Sequence, residues 1–132
     1  MKFKIKHIIL GVFLSLDIHA FPFSRKKIIT HVKLSCYQPI RKQCNSQPLI
    51  TADGTKINLR HLKSGKIKYC AISRDLLYLF PKNNPKIINI KGYGIYEVRD
   101  VMNKRFTHSV DILIHPKNSF RVLKNNVEIE IL

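Results

Sequence analysis

Asp100 and Asp111 stand 11 residues apart in a chain with only 8 acidic residues against 24 basic ones. Asp100 closes the alternating run Gly92-Tyr93-Gly94-Ile95-Tyr96-Glu97-Val98-Arg99, and Asp111 lies inside the β-branched run Val110-Asp111-Ile112-Leu113. The turn-rich link between them allows the chain to fold back, so that both carboxyls face one cleft. Two acids in one cleft suit proton transfer: a carboxyl shielded by apolar neighbours and close to a second negative charge holds its proton towards neutral pH. The plainer reading is structural. An aspartate at a strand end commonly caps a turn or pairs with a cation, and Arg99, Lys104 and Arg105 are at hand.

Strand periodicity assigns faces to these groups. Tyr96 and Val98 share the face of Asp100, whereas Ile95, Glu97 and Arg99 share the other. Asp111 points away from Val110, Ile112 and Ile114 and lies on the face of Leu113, beside the apolar row.

Short strands must carry these residues. Alternation or apolar runs mark 28–34, 67–72, 87–90, 93–100, 110–114 and 127–131, and Thr51-Ala52-Asp53-Gly54-Thr55 is a turn leading into Ile57 and Leu59. Two helical pieces are expected, 74–80, stopped by Pro81, and 117–123, begun after Pro116. Many short strands with little helix to cover an open sheet predict an all-β fold, a closed barrel with one or two short helices.

At 132 residues the chain supports one core and one domain. Residues 1–20 read as a signal peptide, with Lys2, Lys4 and Lys6 before the apolar stretch 8–16 and Ala20 at the cleavage point. The alternative is an N-terminal strand or membrane-proximal helix. Residues 21–31 form an N-terminal segment and 32–132 the domain. Lys33-Leu34-Ser35 before Cys36 lacks the pattern of a lipidation site. The formal charge of +16 favours polyanions, whether nucleic acid, teichoic acid, lipopolysaccharide or the carboxylate-bearing peptides of peptidoglycan. An AT-rich genome would also inflate Lys, Asn and Ile together. The basic residues are dispersed and form no recognition helix, so no nucleic acid partner is expected. Cys36, Cys44 and Cys70 allow one disulfide, nearest between Cys36 and Cys44, or three buried thiols. No spacing of ligands suggests a metal, and no cofactor is expected.

The order of several motifs adds a family. Tyr37-Gln38-Pro39, Thr51-Ala52-Asp53-Gly54, Ala71-Ile72-Ser73-Arg74-Asp75-Leu76-Leu77, Gly92-Tyr93-Gly94 through Asp100-Val101-Met102-Asn103-Lys104-Arg105-Phe106, and Val110-Asp111-Ile112-Leu113 together resemble the 3D domain, named for three aspartates. The resemblance covers roughly 32–132. That family is similar to the C-terminal part of membrane-bound lytic transglycosylase A and to rare lipoprotein A, and it implies a six-stranded double-psi β-barrel acting on bacterial cell-wall glycan. Asp100 matches the second aspartate and Asp111 the third, which carries the acid/base role. At the first, Ser73 follows Ala71-Ile72 and Asp75 stands two positions on, so one acid is displaced.

The resemblance implies an exported protein of the periplasm or cell envelope, monomeric, with peptidoglycan glycan strands as its partner and peripheral attachment to an anionic envelope surface. As an enzyme it would be a lytic transglycosylase, with Asp111 shuttling the proton and Asp100 raising its pKa and stabilising the oxocarbenium. Tyr93, Tyr96 and Asn103 would contact sugar, Lys104 and Arg105 would hold the anionic wall, and Ser73 and Asp75 would complete the substrate contacts. The alternatives are a non-catalytic peptidoglycan-binding module and, with less support, a basic barrel for nucleic acid, which would need an aromatic stacking face.

Overall fold

The computed structural model describes residues 26–41, 43 and 46–132. The expected signal peptide, residues 21–25 of the N-terminal segment and Cys44 lie outside them. Six strands, β1 (Ile28–Tyr37), β2 (Tyr69–Ile72), β3 (Ile87–Ile90), β4 (Gly94–Val101), β5 (Ser109–Leu113) and β6 (Lys124–Ile131), close into a barrel in the order β1-β5-β2-β4-β3-β6. A helix α1 (Leu59–Ser64) and a 3-10 helix (Arg74–Leu79) are added. The fold is thus all-β, a closed barrel with two short helices.

Alternation along the strands sends one set of side chains inward. Leu34, Ile72, Ile88, Ile90, Val110 and Ile129 are fully buried there. Each such side chain contributes roughly 1.5–3 kcal/mol relative to an exposed one. A second, smaller core lies on the outer side of the wall. Tyr37, Ala71 and Leu113 there meet Ile57, Leu62 and Met102, so that Ile57 and Leu62 cover the outside of β1, β5 and β2.

The pairing has an internal two-fold. Exchanging β1, β2 and β3 for β4, β5 and β6 leaves every pair in place, with β1·β5 and β4·β2 parallel and the others antiparallel. Its centre falls on the pair Ala71↔Asp111, and Ser35↔Asp111 becomes the counterpart of Asp100↔Ala71.

Several expectations are corrected. Residues 117–123 form no helix: His115 Nδ1 accepts from Lys117 N–H, Asn118 Oδ1 accepts from Phe120 N–H, and Arg121 donates to the carbonyls of Asn118 and Phe120. These local bonds occupy groups that a helix would use. The unexpected helix is α1, which runs through Leu59 in place of the anticipated extended lead-in. Asn58 caps it by accepting from His61 N–H at 3.0 Å, and Gly65 at φ 81 ends it.

The most consequential correction concerns Asp100. The register of β2 and β4 shifts between Cys70 and Ala71: Val98 pairs with Cys70, but Asp100 pairs with Ala71. Arg99 is the extra residue of a bulge, and its carbonyl accepts from Asp53 N–H at 3.4 Å. Asp100 therefore leaves the inward face of Val98 for the outer face of Ala71. Nor are Asp100 and Asp111 on neighbouring strands, because β2 runs between β4 and β5.

Candidate functional site

With Asp100 and Asp111 both in register with Ala71, two inter-strand spacings separate their backbones, about 10 Å. The methyl side chain of Ala71 leaves the space between them open. Both carboxyls line one groove of about 590 Å³ on the outer side of the barrel, bounded also by Tyr37, Ile50, Arg74, Met102, Asn103 and Arg105.

The two acids are held in different ways. Asp111 Oδ1 accepts a hydrogen bond from the Ser35 hydroxyl at 2.8 Å. Burial pushes its pKa up, the Ser35 bond opposes that, and the negative charge of Asp100 pushes it further, to about 6. Asp100 is tied at both oxygens. Its Oδ1 accepts from Ala52 N–H at 2.9 Å and Val101 N–H at 3.0 Å, and its Oδ2 from the Tyr37 hydroxyl at 3.1 Å. The arrangement supplies one carboxyl ready to give a proton and one anchored carboxylate. A double-displacement glycosidase instead needs its second carboxylate free to attack carbon.

Cations complete the groove. Arg74 Nε donates to the Met102 carbonyl at 3.2 Å, and among the described residues the guanidinium forms no ion pair. Arg105 lies over the Phe106 ring, 4.7 Å from its centre. Asn103 lines the groove while its side-chain oxygen accepts from Arg105 N–H at 3.0 Å, which fixes the turn after β4.

No protein-family model, curated protein or solved structure matches the chain.

The remaining sequence candidates are placed elsewhere. Tyr93 and Tyr96 line a separate hollow with Lys68, whose Nζ lies 4.5 Å from the centre of the Tyr96 ring. Lys104 is exposed on the turn and lines no part of the groove. Ser73 is fully buried, and its hydroxyl accepts from Ser109 N–H at 2.9 Å. Asp75 holds the turn before β5 by accepting from His108 N–H at 3.0 Å, with the imidazole Nδ1 also at 3.0 Å. Desolvation raises the Asp75 pKa, but hydrogen bonds from Ser73 and His108 outweigh it and hold it below the ordinary value. Such a carboxylate serves structure.

Tyr37 and Arg74, which line the groove, and Ser35, which donates to Asp111, were not among the site residues expected from the sequence. Their partners are distant in the chain, Ser35 from Asp111 by 76 residues and Tyr37 from Asp100 by 63. Only the presence of Tyr37 and Arg74 within the quoted motifs gave a signal. Cys36 and Cys70 carry free thiols. Burial pushes the Cys70 thiol well above its ordinary pKa, with the Asp111 charge adding to it, so it is no nucleophile. Among the described residues no cluster of His, Cys, Asp and Glu could hold a metal ion.

Proposed function

We propose that this chain is an exported cell-wall protein of the three-aspartate, double-psi type that cleaves peptidoglycan glycan strands by lytic transglycosylation. The observation that carries the reading is Asp111, half-buried in an open groove with its pKa near 6 and the anchored carboxylate of Asp100 in the same groove. A single proton-shuttling acid is what that reaction requires. Asp111 gives its proton to the glycosidic oxygen as the bond from the anomeric carbon to that oxygen breaks. The 6-hydroxyl of the muramyl sugar then attacks the anomeric carbon and returns its proton to Asp111, so an anhydro ring closes with no water consumed. Asp100 stabilises the positive charge that develops on the sugar. Arg74 and Arg105 attract the anionic polymer and Asn103 contacts it. The protein would work as a monomer in the periplasm or at the envelope surface.

One observation favours a second reading, a binding module without catalysis. Asp75, the candidate for the displaced first aspartate, is spent on the turn at His108. Digestion of purified peptidoglycan followed by mass spectrometry separates the two. Anhydro-muropeptides with the parent chain and none with Asp111→Asn are expected for the enzyme. Retention on peptidoglycan with no anhydro product from either chain would leave the binding module.

A further inference from the structure

The hollow that takes Tyr93 and Tyr96 shares no lining residue with the groove of the two carboxyls. It holds about 620 Å³ beside the start of β4 and the end of β5, a size common among small-ligand sites. Its charge is one-sided. Lys63 and Lys68 line it, neither forms an ion pair among the described residues, and no aspartate or glutamate lines it. Lys68 Nζ donates to the Tyr93 carbonyl at 3.3 Å, which leaves two of its three protons for a ligand. Two further side chains add donors. His115 Nδ1 accepts from Lys117 N–H at 3.0 Å, so Nε2–H is left to donate, and Asn118 Oδ1 accepts from Phe120 N–H at 2.9 Å, so its amide N–H groups are left to donate. Tyr93, Tyr96, Phe120 and Ile114 supply apolar walls.

Donors and cations with no facing acid suit a ligand that carries an anionic, acceptor-only group. The rings narrow the choice further. Lys68 Nζ lies over the Tyr96 ring at 4.5 Å, and Tyr93 meets Phe120 edge to face at 72°, so these rings form no parallel pair between which a base could stack. Such walls suit the C–H faces of a sugar. A muramyl sugar combines those faces with a carboxylate on its lactyl group. We propose that this hollow is a second glycan site, which holds a carboxylate-bearing muramyl sugar without cutting it. The proposal rests on the glycan reading above. With no carboxyl lining the hollow, the sugar meets no acid to protonate its glycosidic oxygen. A protein with one cutting groove and one holding hollow stays on an insoluble polymer between cuts.

The test is an NMR titration of the full chain carrying Asp111→Asn, so that no sugar is cut. One probe is a tetrasaccharide from peptidoglycan stripped of peptides by an amidase, which keeps its muramyl carboxylates. The other is chitotetraose, a chain of N-acetylated sugars without them. The resonances of Tyr93 and Phe120 should shift with both, and about tenfold tighter with the muramyl probe. Lys63→Gln combined with Lys68→Gln should weaken the muramyl probe at the hollow about three- to tenfold and leave the shifts of Ala71 and Asn103 in the groove unchanged. Phe120→Ala alters no charge and should weaken both probes at the hollow. Shifts confined to the groove, equal affinity of the two probes at the hollow, or no effect of the lysine substitutions there overturns the second site and leaves the glycan reading standing. A single-stranded oligonucleotide that binds the hollow more tightly than the muramyl probe overturns the sugar assignment in favour of nucleic acid. Shifts in neither place with either sugar overturn both the second site and the glycan reading.

Discussion

The two halves of the barrel share one pairing pattern and divide the chemistry unequally. At equivalent places β1 carries Ser35 where β4 carries Asp100, and β2 carries Ala71 where β5 carries Asp111. The first half contributes a hydroxyl and an open space, and the second contributes both acids. A frame with two-fold pairing therefore yields an asymmetric site, in which Asp111 keeps a mobile proton while Asp100 is tied down by Tyr37 and two backbone N–H groups. A small residue at 71 matters as much as the acids on either side of it. A larger side chain there would stand between the carboxyls.

Breaking the second half at Asp111 has the largest expected effect. Asp111→Asn keeps the shape and removes the transferable proton, so glycan cleavage should fall by about two to four orders of magnitude, measured by release of anhydro-muropeptides. Binding to insoluble peptidoglycan should change little. An unchanged cleavage rate would remove Asp111 from the mechanism.

The same substitution sharpens the comparison through stability. The folded-state pKa of Asp111, about 6, lies above the ordinary value of 3.8, so between those values the folded protein binds more protons than the unfolded chain. Stability from this group is therefore present below pH 3.8 and is lost as pH rises towards 6. Asp111→Asn removes that loss. The variant should be more stable than the parent above pH 6 by about 1–3 kcal/mol, with the gain shrinking on acidification, measured by denaturant unfolding across pH. A cleavage-dead protein that is also more stable at neutral pH is the pattern of a strained functional acid. Tyr37→Phe tests the tied carboxyl and should cost least, about 0.5–1.5 kcal/mol for one lost hydrogen bond, by the same measurement.

Strand positions were legible where burial on one face imposes period two, as in Ile87–Ile90, and where an apolar run is buried on both faces, as in Ser109–Leu113. The outward side of Asp111 followed from the same rule. Asp100 escaped it because a bulge at Arg99 adds one residue and reverses the face, and nothing local marks that bulge. Strand neighbours were not legible either, since the crossover that inserts β2 between β4 and β5 is set by contacts across the whole chain. Helix α1 was written more openly, in Asn58 at its start and Gly65 at its end, but six residues are too few for periodicity to stand out. Tyr93 and Tyr96 illustrate the opposite failure: close in sequence to Asp100, they line a different hollow because successive residues of a strand, and of the turn before it, face different surroundings.

The ionisation of Asp111 tests the central claim most directly. Its carboxyl carbon, followed by NMR from about pH 3 to about pH 9, should titrate with a midpoint near 6. Asp100→Asn removes the neighbouring charge and should lower that midpoint, while Ser35→Ala removes the hydrogen bond to the ionised form and should raise it. A midpoint near the ordinary value of 3.8, unmoved by either substitution, would contradict the account.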